Sequence, residues 1–178
     1  MVADQLLRRR SGGYARASGV GALRYNVDRT HSHWHLLPFD QYELRTLDGR
    51  AVGSARKSGF CLTSGRRAAG TVVGKRPRRR LRSTCGKNDR RALRVLEGIS
   101  VGYGDSYAPL REGQYVDVTD VPAGDYVLVH RVNVGRRLRE SDYSNNAASL
   151  RIRLLPAAGA SKVPQLRVLA RCQATATC

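Results

Sequence analysis

Acidic residues are scarce: 14 Asp and Glu stand against 32 Lys and Arg in 178 residues, a formal net charge of +18. No apolar run approaches the ~20 residues that a membrane-spanning helix needs, so a polytopic membrane protein is excluded and no membrane span is expected. Long amphipathic helical patterns are missing too, which together with 18 Gly and 8 Tyr points away from an all-α fold. The four cysteines include no Cys-x-x-Cys pair, and their spacing does not fit a zinc site. There is no helix-turn-helix, RNA-recognition or zinc-finger pattern, and no internal repeat. Met1 to Leu7 is too short and too polar for the apolar region of a signal peptide. From the residues alone, either the protein stays inside the cell or the chain lacks its natural beginning.

What is present is 41% hydrophobic residues, ordinary for a globular protein, in a chain long enough to bury a core. The excess charge is almost all arginine and comes in bursts: Arg8 to Arg10, Lys75 to Arg82, Arg90, Arg91 and Arg94, then Arg136, Arg137 and Arg139. Such charge attracts acidic polymers or surfaces weakly, without any motif for specific nucleic-acid recognition. It repels cationic substrates unless a pocket is locally acidic.

Residues 1–22 are basic, rich in Gly and Ser and without periodicity, and read as a poorly ordered arm; the domain proper is expected over 23–178. A short strand is expected at Leu23 to Val27. From Phe39 to Arg45 the chain alternates, and Asp48-Gly49 then marks a hairpin turn with a return strand from Arg50. Gly65 to Asn88 reads as a basic loop. Arg94 to Val101 reads as a strand or short helix, and Gln114 to Val118 as a strand. Tyr126 to Val134 is a clear strand with Tyr126, Leu128, His130 and Val132 on one face. Ser141 to Asn146 is a polar turn, Ala148 to Leu154 a strand, and Gln165 to Ala170 a further candidate. Short strands with turn signals every ~8–12 residues predict an all-β, β-sandwich-like single domain with long irregular loops.

Cys61, Cys85, Cys172 and Cys178 are even in number, which fits two disulfides and an oxidising compartment; proximity alone suggests Cys61–Cys85 and Cys172–Cys178. Four reduced thiols are the plain alternative. Three of the four histidines fall in five residues, His31-Ser32-His33-Trp34-His35. Alternation places the three imidazoles on one side of an extended segment, and imidazole suits copper, zinc, nickel and iron. Residues i and i+4 of a flat strand lie ~13–14 Å apart, so three ligands converge only if the backbone bends. Taken alone, His130 reads as a core or edge histidine, and Asp105 and Asp142 as turn residues.

Five ordered pieces resemble the catalytic domain of the lysyl oxidase family. His31-x-His33-x-His35 is similar to its copper-binding motif. Lys57-Ser58-Gly59-Phe60-Cys61-Leu62 is similar to the segment that supplies its cofactor lysine, and Gly98 to Tyr107 to the stretch that supplies its cofactor tyrosine. Asp117 to Tyr126 and Glu140 to Asn146 resemble two further segments. The resemblance implies copper held by His31, His33 and His35, and a lysine tyrosylquinone made from Lys57 and Tyr107. It implies oxidative deamination of primary amines by O2, yielding an aldehyde, hydrogen peroxide and ammonia. The quinone is an electrophile toward an amine, and Asp105, two residues before Tyr107, is the candidate carboxylate base. The family's domain is extracellular, so the resemblance implies a place outside the cell or on its surface. The alternatives are a catalytically inactive copper-binding β-sandwich and a basic module for acidic polymers.

Overall fold

Alternating apolar and polar residues bounded by Gly, Asp and Asn turns give strands throughout. The computed structural model describes residues 1–27, 32–55, 59–68, 78–106, 115–157 and 164–178. Among these there are ten strands and no helix, so the chain is all-β. The strands are β1 (Val2–Arg8), β2 (Tyr14–Asn26), β3 (His33–Leu37), β4 (Asp40–Arg45) and β5 (Ala51–Ser54). They continue with β6 (Arg66–Arg67), β7 (Tyr103–Gly104), β8 (Gly124–Val132), β9 (Ala147–Leu155) and β10 (Gln165–Gln173). All strand pairings are antiparallel.

The strands fall into two compact units. The first comprises Met1–Pro38 and Gly59–Arg111, the second Phe39–Ser58 and Glu112–Cys178. In the first unit β1, β2 and β3 form a three-stranded sheet in that order, and β6 pairs with β7. The arm expected over residues 1–22 is instead β1 and most of β2, joined by a turn in which Gly12 and Gly13 take positive φ. Its order comes from the backbone ladder and from Asp4, which holds Arg16 and accepts from the Gly19 N–H at 2.9 Å. Only Ala3 and Val20 are buried apolar side chains here, so little hydrophobic periodicity betrays the hairpin.

The second unit is a five-stranded sheet in the order β10-β9-β8-β4-β5. The β4–β5 hairpin turns where Asp48-Gly49 predicts, with Gly49 at φ +93° and Thr46 N–H donating to the Arg50 carbonyl. One face carries the core: Leu44, Tyr126, Ile152 and Leu154 are buried, with Leu128 and Leu150 packed against them. The Tyr126 hydroxyl is satisfied by the Pro122 carbonyl at 2.8 Å. The other face carries ion pairs of Glu43 with Arg45 and Arg131, and of Asp125 with Arg151 and Arg153.

Two expected elements are absent. Residues 94–101 form neither strand nor helix, because their backbone bonds go singly to Leu62 and Ser64 rather than to a ladder. Residues 115–118 make one isolated bridge, Val116 to Ala55, and then turn as Asp117 bonds the Thr119 amide and hydroxyl.

Leu44 is 1% exposed and faces Leu128 in the β4–β8 pairing. Leu44→Ala should therefore lower stability by about 2–5 kcal/mol, read as a lower urea midpoint at unchanged slope. A loss under about 1 kcal/mol would place the core elsewhere.

Candidate metal centre

The histidine motif enters the fold through β3. That strand begins at His33 and pairs with β2, His33 opposite Asn26 and His35 opposite Arg24. Residues i and i+2 of a strand share a face, and the His33 and His35 ring centroids lie 4.8 Å apart at 58°. Both Nε2 atoms are buried, and His35 as a whole is 6% exposed. Two imidazole donors brought this close suit a copper or zinc ion. His31 lies outside the described residues, among which no group of three metal-ligating side chains occurs.

The second edge of β3 is closed by irregular backbone. Trp34 N–H donates to the Cys85 carbonyl at 2.8 Å, and Leu36 N–H to the Phe60 carbonyl at 3.0 Å. Cys61 and Cys85 form a disulfide, so the two covering segments are one stapled piece. Cys172 and Cys178 form the other, and both proximity pairings hold. On the face opposite the histidines, Trp34 meets Tyr25 edge to face at 5.5 Å and donates its indole N–H to the Asp89 carbonyl. Gly86, at φ +59°, sits against the indole: a Cβ there would lie 2.8 Å from Trp34 Cδ1. Gly59 is equally constrained, since a Cβ would lie 2.6 Å from the Leu36 carbonyl oxygen.

Lys57 and Tyr107 both lie outside the described residues. Their described neighbours are firmly held. Gly59 to Leu62 runs along the β3 edge, with a bridge between Leu36 and Phe60. Residues 103–104 pair with 66–67 in the β6–β7 ladder. Asp105 is half-buried; its Oδ1 accepts from the Ser106 N–H at 2.9 Å, and a Cβ on Gly65 would lie 2.8 Å from the same oxygen. Asp142 sits in the turn before β9. It bonds the Ser144 amide and hydroxyl, which hold its carboxyl below the usual range. Glu140, Asn133 and Asn146 tie the same turn together, so Glu140 to Asn146 is structural.

One acidic group near β3 escapes sequence reasoning. Glu97 Oε2 accepts from the Leu62 N–H at 3.1 Å, while Oε1 is buried without a hydrogen-bond partner among the described residues. Burial pushes its carboxyl up to about 7, against the pull of the Leu62 and Leu36 backbone groups. No spacing rule marks it, because Glu97 reaches Leu62 across a 35-residue separation.

The fold is thus all-β, with a histidine-bearing strand backed by a disulfide-stapled segment. The lysyl oxidase family model matches residues 21–159. Lysyl oxidase homolog 2 of Homo sapiens is 34% identical over 124 residues, 69% of this chain and 14% of that protein. Lysyl oxidase homolog 4 of Homo sapiens is 30% identical over 156 residues, 78% of this chain and 19% of that protein. The 2B homolog of Danio rerio is 32% identical over 128 residues, covering 69% and 14%. The chain belongs to the lysyl oxidase family, and it spans under a fifth of the length of these relatives.

Glu97 generates a pH prediction. An acid whose folded pKa is raised stays protonated while the unfolded chain ionises, so stability falls as pH rises from 4.5 to about 7. The slope is at most about 1.4 kcal/mol per pH unit. Glu97→Gln should remove this part of the decline, read as the difference in urea midpoints between pH 5 and pH 7.5. An equal decline in both proteins would show that Glu97 titrates normally.

Proposed function

We propose that this chain oxidatively deaminates primary amines, peptidyl-lysine or small amines, to aldehydes with release of hydrogen peroxide and ammonia, using copper and a self-derived quinone. The observation that carries the reading is the convergence of His33 and His35 on one face of β3, with Gly59 to Leu62 laid along the edge of that strand. His31, His33 and His35 are the copper ligands in this reading, and Lys57 and Tyr107 the source of lysine tyrosylquinone. When bound, copper with O2 supplies the oxidation that makes the quinone, and the quinone supplies an electrophilic carbonyl and a two-electron sink.

The chain's own residues do the rest. The imidazoles of His33 and His35 offer neutral nitrogen donors on a strand held at both edges. Cys61 and Cys85 are locked to each other, which removes thiolates that would compete for copper. Asp105 accepts the proton from the substrate's α-carbon, and Gly65 leaves room for its carboxylate. Two disulfides suit an oxidising compartment, consistent with a place outside the cell or at its surface. The overall charge of +18 disfavours lysine-rich cationic substrates and favours small amines or amines carried on acidic polymers.

Peptide mapping by mass spectrometry, after the metal-free protein is incubated with copper and O2, tests this reading. A cross-linked peptide joining Lys57 to Tyr107, absent when copper is withheld, is the expected result. Asp105→Asn should keep that cross-link and lose about 10²–10⁴-fold in turnover. Unmodified Lys57 and Tyr107 in folded, copper-loaded protein would leave a catalytically inactive copper-binding β-sandwich.

A second reading, a basic module for acidic polymers, is favoured by how the charge divides. The first unit holds 19 Lys and Arg against 5 Asp and Glu, the second 13 against 9. Affinity for a polyphosphate chain should then fall steeply with rising salt. A flat response would remove the electrostatic mechanism.

A further inference from the structure

The five-stranded sheet brings together two further side chains of metal-ligating type, Asp40 and His130, about 90 residues apart in the chain. In the β4–β8 register Tyr42 faces His130 and Asp40 faces Val132, so Asp40, Tyr42 and His130 share the face that carries Leu44 and Leu128. The Asp40 side chain is 2% exposed. Its Oδ1 is buried and has no hydrogen-bond partner among the described residues. The Nε2 of His130 is likewise buried and without a partner, on a side chain that is 35% exposed.

The two groups face each other, with His130 Nε2 3.6 Å from Asp40 Oδ2. That is too long for a hydrogen bond. No lysine or arginine pairs with Asp40 among the described residues. Arg131 points to the opposite face and is taken by Glu43 at 2.8 Å, as is Arg45 at 2.7 Å. A buried carboxylate oxygen without a hydrogen bond is costly, and a cation held between the two groups would offset that cost. Tyr42 is a wall rather than a ligand. Its ring stacks on the imidazole at 4.1 Å and 3°, and burial with the Asp40 charge pushes its hydroxyl up to about 12, so the phenol stays protonated.

Ligand distances decide which cation fits. Nitrogen and oxygen donors sit about 2.0–2.2 Å from zinc, and two such bonds opening at about 120° set the donors about 3.6 Å apart. Imidazole with carboxylate suits zinc or copper rather than calcium or magnesium. We propose that Asp40 and His130 hold a divalent transition-metal ion through the aspartate carboxylate and the histidine Nε2, with water completing its shell. The proposed site uses none of the motif histidines, His31, His33 and His35. With two protein ligands it binds more weakly than three histidines would.

The test is zinc titration of the full chain carrying His31→Ala, His33→Ala and His35→Ala together, followed with a competing chelator dye. One equivalent of zinc should still bind. Adding His130→Phe, which keeps a ring against Tyr42 but removes the nitrogen, should abolish it. Adding Asp40→Asn should weaken it at least tenfold. Failure of the triple variant to bind zinc, or binding unchanged by His130→Phe, would overturn the proposal. The unaltered chain supplies a check that needs no substitution: zinc should move the His130 imidazole ¹⁵N resonances. Resonances that titrate with pH but ignore zinc would mean a simple His130–Asp40 ion pair and also overturn it.

Discussion

Among the described residues, the strand that bears the histidines has a strand partner on one side only. β2 satisfies one edge of β3, and the N–H groups of Trp34 and Leu36 point the other way. Leaving them buried and unpaired would cost about 1–3 kcal/mol each. The chain answers with two carbonyls from irregular backbone, Cys85 and Phe60, and a disulfide joins the segments that bring them. Closing that 24-residue separation in the unfolded chain is worth about 3–4 kcal/mol in the loop-entropy picture. Ordered backbone without regular strands thus replaces a fourth strand, and this lets the segment that follows Lys57 lie beside the histidines.

The same economy runs through the rest of the first unit. Ser64 and Ser100 are nearly fully buried and bond each other, and Ser100 Oγ also accepts the backbone N–H groups of Arg80 and Leu81. Two hydroxyls therefore do for three chain segments what a ladder does elsewhere. Such side-chain networks carry no periodicity. This is the physical reason why residues 94–101 mislead a reading based on alternation, and why Glu97, the buried acid in their midst, is invisible to it.

Legibility follows the kind of force involved. β4, β5, β8 and β9 are readable because burial on one face of a sheet imposes period two on the residues, and Asp48-Gly49 supplies the turn that φ +93° demands. The β1–β2 hairpin is not readable, because backbone pairing and the Asp4 contacts hold it rather than an apolar face. The histidine motif stands out by composition alone, and the two described histidines do converge. The Asp40–His130 pair shows the opposite case. Each residue looks ordinary where it stands, and only the register of two strands about 90 residues apart brings the charge and the imidazole together.

Geometry also separates two kinds of residue that a family resemblance mixes. Glu140 to Asn146 lies within the span that the family model matches, as do the histidines. Yet among the described residues Asp142 and Glu140 bond neighbouring turn residues and Asn133, whose own backbone N–H is bonded to Phe39. That stretch fixes how β8 passes to β9. Val121 and Tyr126 belong to the core, and the Tyr126 hydroxyl caps the Pro122 turn. The histidines differ in kind. A buried imidazole gains little from apolar packing and costs desolvation, so placing two of them side by side on one strand face is a poor way to build a sheet and a good way to present nitrogen donors. Tyr126 and the Glu140 to Asn146 turn therefore hold the fold, whereas the two histidines bury polar nitrogen atoms at a cost to stability.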